Sequence, residues 1–130
     1  MNPTSLLKKY KEMEIQTSSP EKLILILYNG AIKFLNQAKT KMREENIEES
    51  SRLLLKAEKI VRELMFSLDL KRGKFVAHWY NLYGYIYGKL IEANLEKNVE
   101  AVDEAISLLT PLRDSWAQII GLNPTHKEKN

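Results

Sequence analysis

Few residues of this chain have types and spacings that invite chemistry. The candidates are two histidines, His78 and His126, and a run of carboxylates, Glu44, Glu45, Glu48 and Glu49. His78 sits among aromatic residues, where a hydrogen-bonded or exposed histidine is commoner than a catalytic one. His126 lies in a polar C-terminal stretch. Neither has a glutamate three positions before it, so the Glu-x-x-His pairs that hold two metals in helical bundles are missing. The chain has no cysteine, which excludes disulfides, thiolate nucleophiles and thiolate metal sites. No Gly-Lys-Ser/Thr phosphate loop occurs. The glutamate run reads as a solvated turn. The sequence therefore leads to no enzyme activity, no metal and no cofactor, and function has to be sought in surfaces that bind.

The most informative surface is on Phe75 to Leu95. At helical period, Val76, Trp79, Leu82, Tyr83, Ile86, Leu90 and Ala93 form a core-facing stripe. The rest of this helix is not polar. Ala77, Gly84 and Gly88 form a second line almost without side chains, with Tyr80, Tyr87 and Ile91 beside it and Tyr85 flanking it. A helix apolar on more than one side is either sandwiched between neighbours or offers a groove. We expect a groove at Tyr80, Gly84, Tyr87, Gly88 and Ile91, with Leu55 and Phe66 of the preceding helix as an adjoining strip. The alternative is that another part of the same chain covers these residues permanently.

The elements that position this surface follow from periodicity and caps. Residues 1–16 are an N-terminal arm with Leu6, Tyr10 and Met13 on one side. Ser19 with Pro20, or Ser18 with Glu21 as a capping box, starts a first helix that is apolar almost all round in its first turns. The chain turns near Glu45-Asn46. A second helix spans about Ile47 to Asp69 on the stripe Leu54, Ala57, Val61, Leu64 and Leu68, and ends at Lys71-Arg72-Gly73. The third ends near Glu96-Lys97-Asn98, where Asn98 is placed to cap the fourth. That helix keeps Val99, Val102, Ile106, Leu109, Arg113, Trp116 and Ile120 in phase through Pro111, which predicts a kink or near-break there. Gly121 closes it, and residues 123–130 read as a disordered tail. The expected fold is all-α: an antiparallel four-helix bundle over residues 17–122, with an N-terminal arm. A tetratricopeptide signature at Trp79, Leu82, Gly84 and Tyr87 is out of step by one and lacks a 34-residue repeat.

Composition agrees with one ordinary domain of 130 residues, 44% hydrophobic and 28% charged, with a net charge of +3. Basic residues alternate with glutamates, so no basic face for nucleic acid stands out. No signal-peptide core is visible, and the longest apolar run, Leu23 to Tyr28, is too short for membrane insertion. A cytoplasmic protein is expected.

An ordered series of residues carries a family resemblance: Tyr10; Thr17-Ser18-Ser19-Pro20-Glu21-Lys22-Leu23 continuing through Tyr28-Asn29-Gly30-Ala31-Ile32; Leu82-Tyr83-Gly84-Tyr85-Ile86; Leu90-Ile91-Glu92-Ala93-Asn94; and Leu112-Arg113-Asp114-Ser115-Trp116. This series resembles the bacterial flagellar secretion chaperones and covers about Tyr10 to Ile120. Two departures are Asn29, where the family often has Asp, and Lys71-Arg72-Gly73-Lys74, where a Gly-Gly pair is common. The resemblance implies a helical bundle that binds the disordered C-terminal segment of flagellin, which becomes helical on the bundle. It implies protection of flagellin from premature polymerisation, delivery to the flagellar type III export gate, and an arm around Tyr10 and Ile15 that covers the site and is displaced. The contrasting expectation is a self-associating structural or regulatory bundle without a client, its apolar strip serving as a homodimer interface in the free protein.

Overall fold

The computed structural model describes residues 19–125. The arm with Tyr10 and Ile15, and residues 126–130, lie outside the described residues. Four helices follow in order: α1 (Pro20–Arg43), α2 (Ile47–Phe66), α3 (Lys74–Glu96) and α4 (Val99–Ile120). A short 3-10 turn, Leu70–Arg72, separates α2 from α3.

Ser19 is the cap of α1. Its hydroxyl accepts from the Lys22 amide at 3.2 Å, with Pro20 opening the helix. Glu45 takes a left-handed backbone (φ 60°) at the first turn, and the Asn46 side chain accepts from the Glu49 amide to start α2. The second helix stops at Phe66, short of the expected Asp69. Two local hydrogen bonds account for this. The Ser67 hydroxyl donates to the Leu64 carbonyl at 2.7 Å, and the Asp69 carboxylate accepts from the Lys71 amide to shape the 3-10 turn. Gly73, at φ 110°, then leads into α3 rather than closing α2. Lys97 ends α3 in a left-handed conformation, and Asn98 caps α4 by accepting from the amides of Glu100 and Ala101. Gly121, at φ 74°, closes α4.

Each helix packs on two neighbours in the cyclic order α1, α2, α3, α4. Short connections make the neighbours antiparallel. The core between them holds Leu27, Leu35, Leu64, Ile86, Leu90 and Leu109, all fully buried. Burying such side chains stabilises a fold by about 1.5–3 kcal/mol each. On α4 the buried line is Ala101, Val102, Ala105, Leu109 and Ala117, while Ile106, Trp116 and Ile120 of the expected stripe are half-buried. Alanines let helices approach closely, so the centre of contact shifts from the largest residues to the smallest. Pro111 lies on the exposed side of α4 without dividing it. Next to it, the Thr110 hydroxyl donates to the Ile106 carbonyl at 2.8 Å.

Asn123–Thr125, the start of the expected tail, are anchored. The Pro124 carbonyl accepts from Asn29 Nδ2 at 3.1 Å, and Asn29 Oδ1 accepts from Arg113 at 3.0 Å. Asn29 thereby ties α1 to α4 and to the segment after it. An aspartate at this position keeps the arginine contact but has no proton to donate to Pro124.

Candidate binding site

The two sides of α3 differ in chemistry. Toward α4 it is closed by polar contacts. The Tyr85 hydroxyl donates to Glu104 at 2.6 Å, and Lys89 sits 3.2 Å from Glu92 and 3.5 Å from Glu104. Toward α2 it is apolar. Tyr80, Gly84 and Tyr87 are half-buried there, and Ile91 is 36% exposed. The register of this face is set by two contacts. Arg62 Nη1 donates to the Tyr87 hydroxyl at 3.1 Å, its guanidinium 5.9 Å from the ring centre. One turn further along α2, Met65 Cε lies 3.9 Å from where a Cβ on Gly84 would be.

The expected site residues thus divide into groups. Tyr80, Gly84, Tyr87 and Ile91 form one continuous face beside α2. Leu55, 49% exposed, extends it from α2. Gly88 and Phe66 point further outward: a Cβ on Gly88 meets nothing within 4 Å, and Phe66 is 58% exposed. They border the face rather than line it. Gly84 and Gly88 both have ordinary helical φ, so neither is glycine for a backbone reason.

A second apolar feature was not legible in the sequence. At the end of the bundle where α1 and α3 begin and α2 and α4 end, Pro20, Ile24, Leu68, Phe75, Trp79 and Trp116 surround an open cavity of about 490 Å³. Trp116 is held by its indole N–H, which donates to the Glu21 carbonyl at 2.9 Å. Trp79 meets Tyr83 edge-on at 6.0 Å between ring centres. Tyr28 and Tyr83 reach across the bundle and hydrogen-bond each other through their hydroxyls. Burial pushes both phenols up, Tyr83 to about 12, so both stay neutral and the floor of the cavity carries no charge. The tryptophans and tyrosines were readable as core residues. That they leave a gap depends on how four helix ends splay, which periodicity does not encode.

Two carboxylates of α2 are buried, which the stripe analysis also missed. Glu58 is 6% and Glu63 is 4% exposed, and each has one oxygen without a hydrogen-bond partner. Burial raises both carboxyls, Glu63 to about 7, against an opposing pull from Arg62. His78 is exposed. Among the described residues no cluster of His, Asp or Glu is arranged to hold a metal, and no helix is long and apolar enough to cross a membrane.

A small antiparallel bundle with one helix apolar beside α2 and polar toward α4, a partly exposed apolar face on α2 and α3, and a cavity at one end has the architecture of a helical binding protein. The Flagellar protein FliS family profile matches residues 3–123. The flagellar secretion chaperone FliS of Bacillus subtilis is 32% identical over 85% of this chain and 83% of its own length. That of Campylobacter jejuni is 33% identical over 85% and 87%. A solved structure described as a flagellar chaperone from bacteria superposes with a TM-score of 0.72, covering 92% of this chain and 98% of its own at 21% identity, a likeness of fold. The chain belongs to the FliS family of flagellar secretion chaperones, a family without enzymatic activity.

Proposed function

We propose that this chaperone binds the C-terminal segment of flagellin in the cytoplasm, keeps it from polymerising and assists its delivery to the flagellar export apparatus. The observation that carries this reading is the open apolar face of Tyr80, Gly84, Tyr87 and Ile91 with Leu55, on a family member whose curated relatives are flagellar secretion chaperones. A segment that folds on binding must offset an ordering entropy of about 1–2 kcal/mol per backbone residue. It therefore needs a long apolar track, and side-chain-free positions such as Gly84 and Gly88 let a guest helix come close. Phe66 and the bundle-end cavity give the guest further apolar contact. Pro20, the first residue of α1, borders that cavity, and the proposal includes the arm containing Tyr10 and Ile15 as a displaceable cover. Docking of the arm to the export gate belongs to the same proposal.

Isothermal titration with a cognate flagellin C-terminal segment, with circular dichroism of the mixture, tests this. The expected result is one-to-one binding with more helix than the two components have separately. A folded sample that gives no heat and no added helix overturns it. In that case, self-association that the segment does not disrupt would assign the apolar face to a homodimer.

A further inference from the structure

Glu58 has no evident use in the fold. Its side chain is nine-tenths buried, and Oε2 has no hydrogen-bond partner. A buried carboxylate oxygen without a donor is destabilising, and few are found in native proteins. The cation whose charge acts on it, Arg62, lies one turn along the same helix and is engaged with Tyr87, to which it donates and over whose ring it lies. The antiparallel register that sets Met65 against Gly84 and Arg62 against Tyr87 continues to place Glu58 level with Ile91. Glu58 therefore stands on the α2 side of the apolar face, offset from Gly84 by two helical turns, or about 10 Å along the helix axis.

We infer that Glu58 determines which guest this face accepts. Its carboxylate receives a hydrogen bond from one donor side chain of the docked helix, an amide, an ammonium or a guanidinium. The guest residue in question lies seven positions from the one seated on Gly84, because seven residues span two turns and return to the same side. An apolar helix lacking that donor leaves the carboxylate as poorly paired as it is in the free chain, and so binds without the gain that a donor-bearing helix makes. This inference rests on the client reading above and names a residue that reads the client.

The test uses the full chain with the flagellin C-terminal segment and two variants, Glu58→Met and Glu58→Gln. Glu58→Met removes the unpaired oxygen at similar volume. It should melt higher than the parent and yet bind the segment at least tenfold more weakly. A merely structural Glu58 would move the melting temperature alone. A second series changes each Asn, Gln, Lys and Arg of the segment, one at a time, to Met. One of these changes should weaken binding to the parent tenfold and have no further effect on Glu58→Met; its identity tells an amide donor from a cation. Unchanged affinity of Glu58→Met, or no coupled position in the segment, overturns the inference. If Glu58→Met does not fold, the same coupling read with Glu58→Gln decides it. Failure of the parent to bind the segment at all is seen before any variant is made, and it refutes the client reading itself.

Discussion

A leucine at position 84 should block client binding and leave the bundle folded. Gly84 sits in the middle of a 23-residue helix with ordinary helical φ, where glycine is about 0.8–1 kcal/mol less favourable than alanine. A Cβ there would stand 3.9 Å from Met65 Cε, an ordinary van der Waals contact. The free protein therefore has room for the side chain, and its melting point should rise by a few degrees. The guest does not have that room. A leucine fills the space between Tyr80 and Tyr87 and lifts an approaching helix away from the face. If one or two large guest side chains lose their burial, at about 1.5–3 kcal/mol each, affinity falls by roughly 1.5–6 kcal/mol, or about tenfold to ten-thousandfold. Titration calorimetry against the flagellin segment reads the affinity, and a thermal melt by circular dichroism reads the fold. Unchanged affinity with normal helicity would place the guest elsewhere. Unfolding would equally refute the reasoning, because it would make Gly84 a packing position rather than part of an open face.

The remaining predictions concern groups whose environments the structure defines. Tyr28→Phe or Tyr83→Phe alone leaves one buried hydroxyl without its partner and should destabilise by about 1–3 kcal/mol, while the double variant should lose less than the sum, as read by a urea double-mutant cycle. The Glu63 carboxyl is raised in the folded state to about 7 from an ordinary 4.5, so the native protein binds more protons between those values. Stability should be highest below about pH 4.5 as far as this group is concerned, and should decline as pH rises through about 7. Glu63→Gln should remove that slope in denaturant titrations at pH 5, 6, 7 and 8, and an unaltered slope would assign it to other groups. Asn29→Asp should keep the Arg113 contact and release Pro124, seen as faster amide exchange at residues 121–125 with little change in global stability; unchanged exchange there would show that Asn29 does not hold the segment.

Local chemistry accounts for what the sequence determined about this protein. Caps and breakers act on immediate neighbours, so Ser19 with Pro20, Asn98 and Gly121 marked helix ends that the structure places where they were read. The stripe Tyr83, Ile86, Leu90 and Ala93 on α3 was legible as core because helical period alone decides which residues share a side. The same period revealed a second, side-chain-free line at Gly84 and Gly88, and the ordered motifs pointed to the family. The end of α2 was misjudged by a turn because its apolar phase persists to Leu68 while Ser67 and Asp69 redirect the backbone. Only the tertiary structure decided which neighbour covers which side. It joined α3 to α4 through Tyr85, Lys89 and Glu104, and left an apolar, partly exposed face beside α2. It set Arg62 against Tyr87, buried Glu58 and Glu63, and left a cavity among the aromatic residues at one end of the bundle. Each of these depends on the rotation and register of one helix against another. Periodicity fixes a residue's angle on its own helix, whereas partner, depth and accessibility are properties of the pair.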